Sequence, residues 1–129
     1  MYLCSTIMSK NLFFSTTAEA VRIPIDTLVY VEADGNYSSI VTVDGSKYVL
    51  TVQLGQIEKR IFETVDKKDK RFARIGKSLI VNRDFIVLIN PSRQRLVLSD
   101  CCAFRHEVSA SRDALKVLKE YIEKEEENK

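Results

Sequence analysis

F-A-R-I-G-K-S-L-I-V-N-R-D-F-I, residues 72–86, threads three bases, Arg74, Lys77 and Arg83, through apolar neighbours. Its apolar centre, Leu79-Ile80-Val81, is short and β-branched-rich. Gly76-Lys77-Ser78 bounds it before and Asn82-Arg83-Asp84 after. A brief apolar run between two turn signals predicts a buried strand. Polar side chains next to such an anchor project from a rigid base, as a polyanion-binding surface requires.

Working outward, the chain predicts a succession of short strands. Asn11 to Phe14 is the first, and Ser15-Thr16-Thr17 turns. Val21-Arg22-Ile23 alternates until Pro24 confines that segment to an edge. Asp26-Thr27-Leu28 reads as a capped turn into a strand at Val29 to Val31, and Asp34-Gly35-Asn36 turns the chain into alternating Tyr37 to Val43. Asp44-Gly45 is a two-residue hairpin signal before Lys47 to Leu50. Leu54, Ile57, Ile61 and Val65 step by three, four and four, which predicts a helix with Phe62 widening its apolar face and Thr51 as its cap. Lys67-Lys68-Asp69-Lys70 is too polar for a core and reads as an exposed loop. Beyond the opening stretch, strands are expected at Phe85 to Ile89, Arg95 to Leu98 and Ala103 to Val108. A last helix begins near Ser109 or Ser111, with Leu115, Leu118 and Ile122 as its stripe, and residues 123–129 read as a charged, frayed tail. The fold class is therefore mostly β with two helices, in small stacked sheets.

The 129 residues suit one domain. No apolar run approaches the ~20 residues that span a bilayer, and Met1 to Lys10 lacks the pattern of a signal peptide. A cytoplasmic setting is the expectation. The net charge of +2 conceals an uneven distribution. Residues 67–112 carry eleven bases against four acids, whereas both flanks are acidic. Such a block suggests a polyanion on one part of the surface.

Catalysis finds little support. His106 is the single histidine, the four glycines at 35, 45, 55 and 76 form no phosphate-binding pattern, and hydrolase nucleophile motifs are absent. Cys101 or Cys102 acting with His106, as nucleophile or metal ligands, is disfavoured against reduced thiols in a turn. No catalytic residue, metal or cofactor is expected.

One order of motifs is more specific than any of its parts. Y-V-E-A-D-G-N-Y (Tyr30–Tyr37), an Asp-Gly hairpin, a helix, F-A-R-I-G-K-S-L-I-V-N (Phe72–Asn82), a strand pair and Val108-Ser109 before a final helix together resemble the LytTR DNA-binding domain. The resemblance spans roughly residues 10–122, giving an N-terminal extension at 1–10, a domain at 11–122 and the tail. That family forms the output half of bacterial response regulators in two-component systems. The resemblance implies an elongated fold of short stacked antiparallel sheets whose loops enter successive major grooves of double-stranded DNA, where base edges carry a full donor and acceptor code.

The residues it implies for DNA contact are Asn36, Tyr37 and Ser38, then Lys77 with Ser78, then Ser109, Ser111 and Arg112 in the last loop. Lys77 and Arg112 lead, Arg74, Arg83 and Arg105 support the backbone, and Asn82 either contacts DNA or caps its own turn. Two departures stand out. Gly76 occupies a position where many members carry histidine, and Ala110 and Ser111 fill places where an arginine often stands, so that Arg112 comes third. The resemblance also implies paired repeat sites holding two copies, a homodimer on DNA. The length leaves no room for a receiver domain, so a standalone regulator is expected, with a membrane protein encoded elsewhere as a candidate controller. The alternative is a non-catalytic protein-interaction module of the same fold, favoured if Arg74, Lys77 and Arg112 lie on different faces.

Overall fold

The structure is a computed structural model and describes residues 10–102 and 104–127. The expected N-terminal extension, apart from Lys10, lies outside them. The elements run β1 (Asn11–Ser15), β2 (Ala20–Pro24), β3 (Leu28–Asp34), β4 (Tyr37–Thr42), β5 (Lys47–Leu50), α1 (Leu54–Thr64), β6 (Phe72–Ile75), β7 (Leu79–Asn82), β8 (Ile86–Asn90), β9 (Arg95–Ser99), β10 (Arg105–Ser109) and α2 (Arg112–Glu127). Single 3-10 turns at Ile25–Thr27 and Arg83–Phe85 precede β3 and β8. The class is mostly β with two helices, in agreement with the sequence.

All the sheets are antiparallel. The β1–β2 hairpin stands alone, a five-stranded sheet has the order β5-β4-β3-β7-β6, and a three-stranded sheet has the order β10-β9-β8. The five-stranded sheet is covered on both faces. Ile80 and Val31 pack on one side with β1, β2 and the α1 face of Leu54, Ile57 and Ile61. Leu79 and Val81 pack on the other with Leu96, Leu98 and Val108 of the small sheet and Leu115 and Leu118 of α2. Burial on two faces is why the Leu79–Val81 run is unbroken by polar residues, since alternation marks a strand with one wet face. At roughly 1.5–3 kcal/mol per buried aliphatic side chain, these two clusters hold the layers together.

Several expectations need correction. Helix α1 starts at Leu54 with Gln53 in the cap position and no side-chain capping bond, so Thr51 does not cap it. Its start is set by its apolar face. Phe62 is 49 % exposed and lies outside the core. The C-terminal segment is helical through Glu127, not a tail fraying from residue 123, and Glu125 pairs with Arg83 while Lys119 pairs with Glu123. Phe85 belongs to a 3-10 turn, and β8 begins one residue later. The strand expected from Ala103 begins at Arg105.

Candidate nucleic-acid interface

Strand direction gathers four loops at one end of the molecule. β3 and β4 meet at the two-residue turn Gly35-Asn36, where Gly35 has φ +64°, the left-handed conformation that glycine adopts without a steric penalty. β6 and β7 meet at Gly76-Lys77-Ser78. The Ala33 N–H donates to the Ser78 carbonyl at 2.8 Å, which sets these two turns side by side. Gly76, with φ +62°, lies against the start of α2: a Cβ built there would be 3.7 Å from the Ala114 Cβ. The β10–α2 loop then joins the β8–β9 turn, because the Ala110 N–H donates to the Gln94 carbonyl at 3.4 Å.

The exposed side chains along this end include Asn36, Tyr37, Lys77, Ser78, Arg93, Ser109, Ser111 and Arg112, with the acids Asp34 and Asp113 beside them. Lys77, Arg93 and Arg112 make no ion pair among the described residues. Ser111 caps α2: its hydroxyl oxygen accepts from the Ala114 N–H at 3.2 Å, and its carbonyl takes the first helical bond, from Leu115. Arg112 is thus the first residue of a 16-residue helix whose N-terminal amides add partial positive charge to this end.

Arg93 was not singled out by sequence reasoning, although it belongs to the basic block. It sits in the four-residue turn Pro91–Gln94, which Gln94 closes with φ +53° and a bond from its N–H to the Pro91 carbonyl at 3.1 Å. The signal was available in Asn90-Pro91-Ser92: a hairpin turn beside a base exposes that base. What sequence could not supply was the link through Ala110 that seats this turn next to Arg112.

Other expected contact residues are placed differently. Ser38 is fully buried, and its hydroxyl donates to the Val52 carbonyl at 2.7 Å. Asn82 is 1 % exposed and caps its own turn, one of the two roles expected of it: its oxygen accepts from the Asp84 N–H at 3.0 Å, while its amide nitrogen donates to the Leu28 carbonyl at 2.9 Å. Neither side chain can reach DNA from there. The Arg83 guanidinium is 8 % exposed, bonds the Lys70 carbonyl and Glu125, and lies over the Tyr121 ring at 4.6 Å. It fastens α2 to the sheet and is not free for a phosphate. Arg105 is exposed but opens β10 opposite Ser99, at the far end of the strand from Ser109. Arg74 is exposed but engaged, donating to Glu58 at 2.7 Å and to the Lys77 carbonyl at 3.1 Å, so it braces the Lys77 turn from behind.

The basic block is therefore not one patch. Lys67, Lys68 and Lys70 precede β6 and lie at its other end, about 13 Å of strand away from Lys77. Beside them Arg71 bonds Asp69 and Asp26, and that guanidinium holds the Asp69 carboxyl below its ordinary range. Burial, and then Glu32, raises the Tyr30 hydroxyl above its usual value. Tyr30 packs edge-on against His106 at 5.5 Å, and His106 also meets Phe104 at 5.6 Å, so this histidine is held in an aromatic cluster. Cys101 and Cys102 are exposed in the turn before β10. No helix among the described residues is long and apolar enough to cross a membrane.

Comparison with known proteins agrees with this fold. A family model described as the LytTr DNA-binding domain matches residues 18–123. A solved structure from Bacillus cereus, described as the LytTr DNA-binding domain of a methyl-accepting/DNA response regulator, superposes with a TM-score of 0.62 at 19% identity. The match covers 88% of this chain and 96% of that one. No curated protein matches the chain.

Proposed function

The chain belongs to the LytTr DNA-binding domain family, and from that premise we propose that it regulates transcription by sequence-specific binding of double-stranded DNA through the loop end described above. The observation that supports this reading is the convergence of three exposed cations without ion-pair partners among the described residues, Lys77 and Arg93 from two turns and Arg112 from the start of α2. Charges held on rigid strand and helix ends can track a curved anionic backbone. Neutral groups between them, Asn36, Tyr37, Ser78 and Ser109, are left to meet base edges. Lys77 and Arg112 lie on the same end, with Arg74 bracing it. This arrangement favours DNA over the alternative of a protein-interaction module. In this reading Gly76 contributes only backbone to the contact, and the closeness of Ala114 gives it a packing role.

Paired repeat sites occupied by two copies, a cytoplasmic setting and control by a membrane protein encoded elsewhere belong to the same proposal. A fluorescence-anisotropy titration with genomic and random duplexes at two salt concentrations tests it. Three phosphate contacts give a log–log salt slope near −2.7, steeper if other groups join. A genomic fragment should be preferred over random DNA by roughly a thousandfold or more. A flat salt response, or equal affinity for every fragment, is the result against it.

A further inference from the structure

The long groove beside β6 lies outside the DNA-facing surface along most of its length. We infer that it accepts an extended, acidic peptide segment of a partner protein, which adds to the five-stranded sheet as a sixth strand along β6. β6 is the last strand of that sheet, and its pairing with β7 fixes which backbone groups are open. The Arg83 N–H donates to the Arg71 carbonyl, so 71–83, 73–81 and 75–79 are the hydrogen-bonded pairs of this antiparallel ladder. On the other side of β7, the bond from Ala33 to the Ser78 carbonyl fits the same alternation. The N–H and C=O groups of Phe72 and Arg74 therefore point away from the sheet, and none of them bonds another described backbone group.

Most folds blunt or cover such an edge. Here the two helices instead extend past it on opposite faces. Phe62 of α1 forms one wall, Val117 and Tyr121 of α2 form the other, and the cavity between them is about 800 Å³. These three large side chains are 49 %, 66 % and 48 % exposed, an apolar lining around open backbone groups. That combination supplies what strand addition uses: main-chain bonds for affinity and side pockets for alternate residues.

Charge selects the occupant. Among the acids lining the groove, Asp66 is paired with Lys10 and Asp69 with Arg71, whereas Asp113 sits at the far end on the first turn of α2. Lys67 and Lys70, at the Phe72 end, make no ion pair among the described residues. An antiparallel segment runs its C-terminal end toward Phe72, so its acidic residues belong there. The inference does not rest on DNA binding.

The test is amide hydrogen exchange followed by NMR on the whole chain, with two capped probes, Thr-Val-Thr-Val-Glu-Glu and Thr-Val-Thr-Val-Lys-Lys. Saturating glutamate peptide should slow exchange at Phe72 and Arg74 about tenfold and leave Ala73, already bonded to β7, unchanged. The lysine peptide should bind roughly 3- to 10-fold more weakly, and Lys67→Glu/Lys70→Glu, two exposed changes checked for folding by circular dichroism, should reverse that preference. No slowing at Phe72 and Arg74, or equal affinity for both probes, would overturn the proposal. Slowing that grows with protein concentration in the absence of probe would also overturn it, by giving the edge to a second copy.

Discussion

Replacing Lys77, Arg93 and Arg112 together by alanine is expected to weaken duplex binding by about 3 kcal/mol or more, roughly a hundredfold or more. The salt dependence should become shallower by about 2–3 log–log units, because each lost phosphate contact removes nearly one. Each single alanine variant should lose about one unit. Stability should stay within about 0.5 kcal/mol of the parent, since all three side chains are exposed and make no ion pair among the described residues. Arg105→Ala is the matched control, an exposed arginine at the other end of β10, and it should change the slope little. Equal losses from the control and the three loop cations would mean that diffuse charge, not the loop end, carries binding.

Asn82→Ala should do the opposite. Removing that amide leaves the Leu28 carbonyl and the Asp84 N–H without their partner, in a site that is 1 % exposed. At roughly 1–3 kcal/mol for each group left unsatisfied, the loss is about 2–6 kcal/mol, with the half-buried Asp84 N–H at the lower end. For a domain of this size that lowers the melting midpoint on the order of 10 °C. Measured well below its own transition, the variant should keep the parent's salt slope. A stable Asn82→Ala protein with a reduced slope would return this residue to the DNA-contact set.

The contrast between Lys77 and Asn82 shows what the sequence could convey. The strand Leu79–Val81 was legible because burial on both faces leaves a continuous apolar signature, and the α1 stripe was legible for the analogous reason at helical spacing. The fate of a polar residue at a strand end was harder to read. Asn82 follows Ile80 by two and Ser38 precedes Ile40 by two, so period-two parity places both on buried faces; that signal was present but subordinate to the motif they belong to. Arg83 and Arg93 could not be sorted locally. The partner that occupies Arg83, Glu125, lies 42 residues away in a helical segment whose polar composition suggested fraying. Arg93 reaches the interface through the pairing of Arg95 with Ser109 and the bond between Ala110 and Gln94. The charge block itself misled for the same reason: strand direction divides it between two ends of the molecule, and composition carries no strand direction.

The division of that block makes one measurement decisive. Amide chemical shifts recorded during titration with a duplex that binds should locate the contact surface residue by residue. The largest changes are expected at Asn36, Lys77, Ser78, Arg93 and Arg112, with little change at Lys67, Lys68, Lys70 and Arg105. Changes centred on Lys67 to Lys70, with the four loops silent, would contradict the assignment of the loop end as the DNA-binding surface.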